Sequence, residues 1–199
     1  MGLFNRSTDT LEATSAAIAD IAGDYTLDAA HTRIGFVARH AMVTKVRGQF
    51  ADFEGSAHID TANPAGSSVK VVIKAASVST GNEQRDGHIV TPDFFDVETY
   101  PEITFVSTKV ERDGAEWGIT GDLTINAVTK PVTIEFEETG SVIDPWGNTR
   151  IGFEGETTIS RSEWGLSWNA ALEAGGVLVS EKVKLEFDVS AVAQVPSQA

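Results

Sequence analysis

The four histidines are the side chains of this sequence best suited to chemistry near neutral pH, because imidazole changes its charge there. His31 and His40 have opposite parity on one extended segment, and His58 lies on the polar row of another. A zinc site needs three or four ligands that converge, and this placement does not provide them. We therefore expect structural or hydrogen-bonding roles for these three histidines and no metal site.

The fourth histidine, His88, forms a group with Arg85 in an irregular segment that also contains Phe94 and Phe95. Arg and His side chains can hydrogen-bond a polar head group, while the neighbouring rings contact an apolar tail. The same segment is equally consistent with a solvated turn. If the protein is an enzyme, His40 or His88 is the candidate general base.

Other charged residues give weaker indications. Arg33, Arg39 and Arg47 flank apolar rows and are candidates to neutralise a phosphate, although such arginines more often pair with surface acids. The carboxylates that are candidates for an acid–base pair are interpreted as a solvated face; they are Asp93, Asp96, Glu135, Glu137 and Glu138. The sequence has no Gly-x-Ser-x-Gly elbow, P-loop or Gly-x-Gly-x-x-Gly motif. We predict no catalytic residue, and therefore a protein that is not an enzyme.

Apolar residues recur at every second position through most of the chain, which is typical of strands with one buried face. About eight such rows can be followed; they begin at Ile34, Phe53, Val69, Ile103, Trp117, Val132, Ile151 and Val183. Turn signals between the rows favour antiparallel hairpins. The pattern predicts one all-β domain, an antiparallel barrel of roughly eight strands. Two interruptions, Asn82 to Phe95 and Arg161 to Leu172, predict short helical or irregular segments.

A barrel of this size is just wide enough to be filled by its own side chains or to hold one small ligand. Gly55, Gly121 and Gly155 on the inward rows supply little volume, so we expect an internal apolar cavity. Its aromatic lining is expected to be Phe36, Phe50, Phe53, Phe105, Phe136 and Phe153. Trp164 and Trp168 are expected to plug one end and to touch a bound tail. The alternative, in which the glycines mark bulges and the phenylalanines fill the core, stays open.

Composition excludes several function classes. The chain has 15 Lys and Arg against 29 Asp and Glu, a net charge of −14 that repels phosphate backbones and anionic lipid surfaces, so nucleic acid is not expected as a partner. There is no cysteine for a disulfide or a thiol nucleophile. No stretch resembles a secretory signal or a membrane-spanning helix, which predicts a cytoplasmic protein that does not span a membrane. We expect a disordered or weakly helical extension (1–23), a barrel domain (24–192) and a C-terminal tail (193–199).

Several motifs, in order along the chain, carry a family resemblance. They include Tyr25 to Phe36, Lys45 to Phe50, Gln84 to His88, Asp93 to Asp96, Tyr100 to Phe105, Gly121 to Ile125, Thr129 to Val132 and Arg161 to Leu166. Together they resemble the YceI-like family over about Gly23 to Ala191. The resemblance implies a lipocalin-like β barrel whose pore holds a polyisoprenoid chain, such as an isoprenoid quinone or a polyprenyl phosphate.

The resemblance also suggests partners and location. The expected partner is a bound isoprenoid lipid, no other cofactor is required, and a homodimer is reasonable. Many members of the family are exported to the periplasm, and this chain departs from them in having no recognisable signal peptide. The residues expected to contact the lipid are Phe36, His40, Phe50, Phe53, Arg85, His88, Phe94, Phe95, Phe105, Phe153, Trp164 and Trp168.

Three functions are compatible with these observations. The first, which we predict, is the non-enzymatic binding, storage or transport of an isoprenoid lipid. The second is an enzyme that acts on a hydrophobic substrate with His40 or His88 as general base. The third is a scaffold with a filled barrel, whose outer face or N-terminal segment binds another protein.

Overall fold

The structure, a computed structural model, describes residues 21–173 and 175–194, which form eleven strands and one α-helix. The strands are β1 (Gly23–Leu27), β2 (Arg33–His40), β3 (Thr44–Phe50), β4 (Phe53–Ile59), β5 (Ser68–Lys74), β6 (Val78–Ser79), β7 (Glu102–Asp113), β8 (Glu116–Ile125), β9 (Val128–Ile143), β10 (Thr149–Ser160) and β11 (Lys182–Ala193). The helix is α1 (Glu83–Ile89), and short 3₁₀ helices lie at Pro64–Gly66, Ala75–Ser77 and Arg161–Trp164. Most of the predicted N-terminal extension and C-terminal tail lies outside the described residues.

Eight strands close into an antiparallel ring in the order β1-β4-β5-β7-β8-β9-β10-β11, because β1 also pairs with β11. This confirms the predicted barrel of roughly eight strands. The remaining strands form a flap: β2 pairs with the first part of β11, β3 pairs with β2, and β6 pairs with β3. β1 and β2 therefore lie along the same edge of β11, separated by the turn at residues 28–32.

The alternation of apolar and polar residues determines which face of each strand is buried. On β9, Val132 and Ile134 are buried, while Thr133 and Glu135 between them are exposed. The hairpin from β8 to β9 turns at Asn126 and Ala127, whose φ angles of 49° and 59° lie in the left-handed region that two-residue hairpin turns require. Long strands joined by tight turns keep the inward rows in register around the ring.

The buried residues form two clusters, one around Ile34, Ile73 and Ile103 and a second that includes Ile21 and Tyr25. Ile21 is 1% exposed and belongs to the second cluster, which closes the end of the barrel where β1 begins. The packed domain therefore begins before residue 24, the boundary that the sequence pattern indicates. Among the described residues, no helix is long and apolar enough to cross a membrane.

Candidate functional site

The barrel encloses a cavity of about 750 Å³. Its wall is formed by the inward rows of the strands, with side chains such as Ile34, Val71, Ile103, Ile119, Leu185 and Phe187. Since β1, β4, β9 and β10 also contribute apolar lining residues, every strand of the ring adds apolar surface to the cavity. The interior can therefore accommodate an apolar molecule along its length.

The interior of the barrel stays open because phenylalanine rings lie along the wall, over glycine residues, and do not project across the lumen. A Cβ atom at Gly121 would be 2.4 Å from Cζ of Phe105, and one at Gly155 would be 2.3 Å from Cδ1 of Phe136. The rings therefore already occupy the space above these glycines. The internal apolar cavity predicted from these glycines is present, and each glycine makes room for it by admitting the ring of a neighbouring strand.

Eight polar lining residues lie at one end of the cavity, which we call the mouth, while Thr32, Ser56, His58 and Ser67 line it elsewhere. The mouth is formed by the β2–β3 hairpin, α1 and residues 161–173 and 175–180. Contacts join these parts: the ring centroids of His88 and Trp168 are 4.6 Å apart, and His40 forms a β-bridge with Val179. The polar lining residues of the mouth are Arg39, His40, Thr80, Asn82, Gln84, Arg85, His88 and Arg161. Arg39, His40, Asn82 and Gln84 are also exposed to solvent, so the cavity opens here.

Arg85 is held at the mouth by Thr80. Its Nε donates to Oγ1 of Thr80 at 2.6 Å, and its Nη2 donates to the carbonyl oxygen of Thr80 at 3.0 Å. Asp86 fixes Thr80 in turn, because the backbone N–H and the hydroxyl of Thr80 both donate to Oδ1 of Asp86. Within the described residues, Arg85 has no carboxylate ion-pair partner. Its guanidinium group is thus oriented but not neutralised.

Arg161 is a second cation at the mouth and was not among the residues predicted from the sequence to contact a ligand. The residue is 4% exposed, its Nε donates to the carbonyl oxygen of Ser180 at 3.0 Å, and its Nη1 donates to those of Leu166 and Trp168. Burial lowers the pKa of Arg161, and the charge of Glu181 opposes this effect. Arg161 directly follows β10 and lies two residues after the inward Ile159, and that spacing was the signal that could have identified it.

His88 lies in an aromatic group of the mouth. Its Nε2 is 2.7 Å from Oδ2 of Asp93, and its ring meets Phe94 and Trp168 edge to face, at centroid distances of 5.2 and 4.6 Å. A second set of rings connects Phe95 to Phe50 at 5.8 Å. The irregular segment with Phe94 and Phe95 therefore lines the cavity instead of forming a solvated turn.

Ten of the twelve residues expected to contact a ligand line the cavity: Phe36, His40, Phe50, Arg85, His88, Phe94, Phe95, Phe105, Phe153 and Trp168. The structure places Phe53 and Trp164 in the main core outside the lining. Trp164 is 2% exposed and its Nε1 donates to the carbonyl oxygen of Leu123 at 3.0 Å. It therefore packs in the core and does not line the cavity. Phe53 is the first residue of β4, and the part of the inward row that lines the cavity lies farther along this strand.

Glu138 contradicts its predicted solvated position. Its Oε2 accepts hydrogen bonds from Nη2 of Arg112 at 3.1 Å and from Nε1 of Trp117 at 3.3 Å, and its side chain is 2% exposed. The physical reason is parity, because Glu138 continues the inward row of Val132, Ile134 and Phe136. Glu135 and Glu137 are exposed, as predicted.

The remaining candidates lie outside the mouth. Nδ1 of His31 is 2.8 Å from Oδ2 of Asp28, and Nδ1 of His58 is 2.7 Å from Oδ1 of Asp24. Arg33 lies 3.7 Å from Glu186 and 3.6 Å from Asp188, a surface pairing of the ordinary kind. Across residues 21–173 and 175–194, no group of three or more His, Cys, Asp or Glu side chains could hold a metal ion.

Known proteins share both the sequence and the architecture. Residues 25–191 match the family model of the YceI-like domain. Protein YceI of Escherichia coli O157:H7 is 40% identical over 176 residues, which cover 87% of this chain and 89% of that protein. The crystal structure of Burkholderia cenocepacia BcnA superposes with a TM-score of 0.72 at 25% identity, covering 82% of this chain and 98% of that chain.

A third comparison concerns the fold alone. A polyisoprenoid-binding domain from Saccharophagus degradans, implicated in plant cell wall breakdown, superposes with a TM-score of 0.64. It covers 85% of this chain and 98% of that chain at 20% identity. At that identity the likeness establishes a common architecture.

Proposed function

This chain belongs to the YceI-like domain family, and from that premise we propose that it binds a long isoprenoid lipid inside its barrel and carries or stores it chemically unchanged. The observation that carries the proposal is the apolar cavity of about 750 Å³ with most of its polar side chains at the mouth. Its volume lies within the range of roughly 300 to 1,000 Å³ typical of small-molecule sites. The polyisoprenoid-binding domain that shares the fold supports the same ligand class by analogy.

The energetics favour an apolar occupant. An apolar space that held no molecule would leave its lining atoms without contacts, which destabilises the fold. Water satisfies few of its hydrogen bonds against an apolar wall, whereas each buried CH₂ group of a lipid contributes about 0.8 kcal/mol.

The mouth supplies the polar end of the site. Arg85 and Arg161 are oriented by oxygens of Thr80, Ser180, Leu166 and Trp168 rather than by carboxylates. Guanidinium groups in such surroundings bind oxygen acceptors well, whether the carbonyl of a quinone or the oxygens of a phosphate. We infer that the head group lies between these two arginines and that the tail extends into the barrel.

An enzyme acting on the same lipid is the second candidate, favoured by the 2.7 Å contact between His88 and Asp93, which could orient a general base. Incubation with the bound lipid, followed by mass spectrometry of the lipid, separates the two functions. Carrier function predicts the unchanged mass. A product that forms with the wild type but not with His88→Ala or His40→Ala would instead establish catalysis.

Titration of lipid-stripped protein with quinones of increasing tail length tests the proposal. Trp117 and Trp168 line the cavity, while Trp146 is 80% exposed, so Trp146→Phe removes a background signal. We expect saturable quenching of tryptophan fluorescence at one quinone per chain, with affinity that rises with tail length. Affinity that is independent of tail length would contradict the proposal and favour a scaffold role.

A cytoplasmic location and a homodimer also remain proposals. The location rests on the sequence expectation, and the dimer on the family resemblance. Cell fractionation and light scattering of the purified protein test them directly.

A further inference from the structure

The β2–β3 hairpin carries positive charge on a strongly negative protein. Residues 29–51 contain four Lys or Arg and no Asp or Glu, whereas the whole chain has 15 and 29. Arg33 pairs with acids of β11, but Arg39, Lys45 and Arg47 make no ion pair with any described residue. All three are exposed. The hairpin therefore presents three cations that its own surroundings leave unneutralised.

The register of the hairpin holds these cations together. Arg39 lies directly opposite Lys45, and Arg47 follows two residues later on the same face of β3. Like charges at directly opposite positions destabilise a pair of strands. An anionic partner outside the protein would remove that repulsion.

The tip of the hairpin is apolar. Met42 is 55% exposed and Val43 is 78% exposed, and the neighbouring loop adds Val177 at 38%. The backbone of Ala41 is tied to that loop through its N–H, which donates to the carbonyl oxygen of Leu178 at 2.7 Å. The hairpin and the loop thus place exposed apolar side chains next to each other, and the cations follow on the strands of the hairpin; we call this surface the rim.

The rim is continuous with the cavity. Arg39, His40 and Val46 of the hairpin and Leu178 and Val179 of the loop all line the cavity. A surface that accepts Met42 and Val43 would therefore lie against the mouth. Apolar tips with flanking Lys and Arg fit the interface of a lipid bilayer, where the tips enter the acyl boundary and the cations meet anionic head groups.

We propose that this rim, comprising Met42, Val43 and Val177 with the cations Arg39, Lys45 and Arg47, docks the mouth onto an anionic lipid bilayer. The inference deepens the proposed function, on which it rests, because a lipid tail could then pass between bilayer and cavity without crossing water. The net charge of −14 does not prevent docking, since charges more than about 8 Å away are largely screened at physiological ionic strength.

The turn between β9 and β10 provides a matched control at the opposite end of the barrel. It also exposes apolar side chains, with Ile143 at 70% and Trp146 at 80%. Its two charges neutralise each other, since Nε of Arg150 lies 3.0 Å from Oδ2 of Asp144. The two ends thus differ in unpaired charge and in access to the cavity.

Co-sedimentation with vesicles tests the proposal. We expect the wild type to bind vesicles of equal parts phosphatidylglycerol and phosphatidylcholine, to release them at high salt, and to ignore pure phosphatidylcholine. Each cation removed should weaken partitioning roughly fivefold, so Arg39→Gln, Lys45→Gln and Arg47→Gln together should weaken it about 100-fold. Met42→Ser with Val43→Ser should also reduce binding, whereas Ile143→Ser with Trp146→Ser should not.

The outcomes separate docking from lipid carriage. Absence of vesicle binding by the wild type, or equal loss in the hairpin and control variants, would overturn the docking proposal. Retention on a soluble polyanion such as heparin without vesicle binding would overturn it as well, in favour of a soluble partner. Lipid extracted from the Met42→Ser, Val43→Ser variant reports separately on the proposed function, because neither of these two residues lines the cavity.

Discussion

The ring of Phe36 occupies the space directly over Gly48, its cross-strand partner in the β2–β3 hairpin. A Cβ atom on Gly48 would lie 2.2 Å from Cζ of Phe36, and the three nearest atoms to it all belong to that ring. Because glycine has no side chain, the ring can lie along the wall rather than project across the lumen. A barrel rich in phenylalanine keeps its cavity in this way.

Replacement of Gly48 with Ala should therefore push the Phe36 ring toward the lumen. Overpacking of this kind destabilises proteins by about 1–3 kcal/mol, and we expect the free energy of unfolding in urea to fall by that amount. Lipid content per chain should fall with it. Adding Phe36→Leu removes the ring and should restore much of both quantities; strictly additive losses in the double variant would contradict the relationship.

A second prediction concerns the lumen itself. Val71 faces the cavity, whereas Val106, opposite the neighbouring Lys70 in the β5–β7 pair, is 44% exposed on the outer face. Val71→Trp should fill part of the lumen and reduce bound lipid severalfold with little loss of stability, since the ring enters existing space. Val106→Trp should leave lipid content unchanged. Equal lipid content in both variants would show that the lumen is not where lipid binds.

Much of the fold follows from the sequence because period-two rows report which face of a strand is buried. Those rows correctly predicted the antiparallel barrel. They could not show that β2, β3 and β6 form a flap on β11, because pairing across about 150 residues of sequence depends on which strand edge is left free. The rows also do not mark where along a strand the lumen ends, which is why Phe53 was expected to line it.

The candidate site was predictable where chemistry and parity agreed, as for Arg85 and His88. Arg161 and Glu138 were missed because the inward parity of a charged residue was not taken to mean that the residue is buried. Both continue the inward parity of an apolar row, and both are buried with hydrogen-bond partners. Trp164 was wrongly expected to line the cavity, because spacing alone cannot tell which of two nearby tryptophans reaches it.

The head-group position gives a third prediction. Hydrogen bonds to charged groups contribute about 1.5–3 kcal/mol, so Arg85→Met should weaken quinone binding roughly 10- to 100-fold in the fluorescence titration. Lys109→Met removes an exposed cation on β7 whose partner is Glu111, and it should change nothing. Equal affinities for Arg85→Met and the wild type would place the head group elsewhere.

Acid sensitivity gives a fourth prediction, based on Asp144. Burial disfavours its charge, but hydrogen bonds from the backbone N–H and side chain of Asn148 and from Arg150 outweigh it and lower its pKa from 3.8 to about 2. A carboxyl with a lowered folded-state pKa contributes stability that is fully present above its unfolded pKa and is lost as pH falls through its folded pKa. We expect the free energy of unfolding to decline as pH falls from 3.8 toward about 2.

Asp144→Asn tests the origin of that decline. The amide cannot lose a proton, so the variant should be less stable than the wild type at neutral pH and should lose less stability between pH 3.8 and about 2. Asp28, whose pKa is lowered chiefly by the hydrogen bond from Arg150, should contribute a further loss in the same direction in both proteins. Glu54→Gln, at an exposed position, serves as the control. Identical acid slopes for Asp144→Asn and the wild type would exclude Asp144 as the cause.

The central claim is that the cavity holds an isoprenoid lipid, and its most direct test is the lipid that accompanies the protein from the cell. Protein purified without detergent would be extracted with organic solvent, and the extract identified and quantified by mass spectrometry. We expect one isoprenoid per chain, with a quinone or phosphate head group and an unmodified tail. A well-folded sample that yields no isoprenoid, or a different lipid at the same stoichiometry, would contradict it.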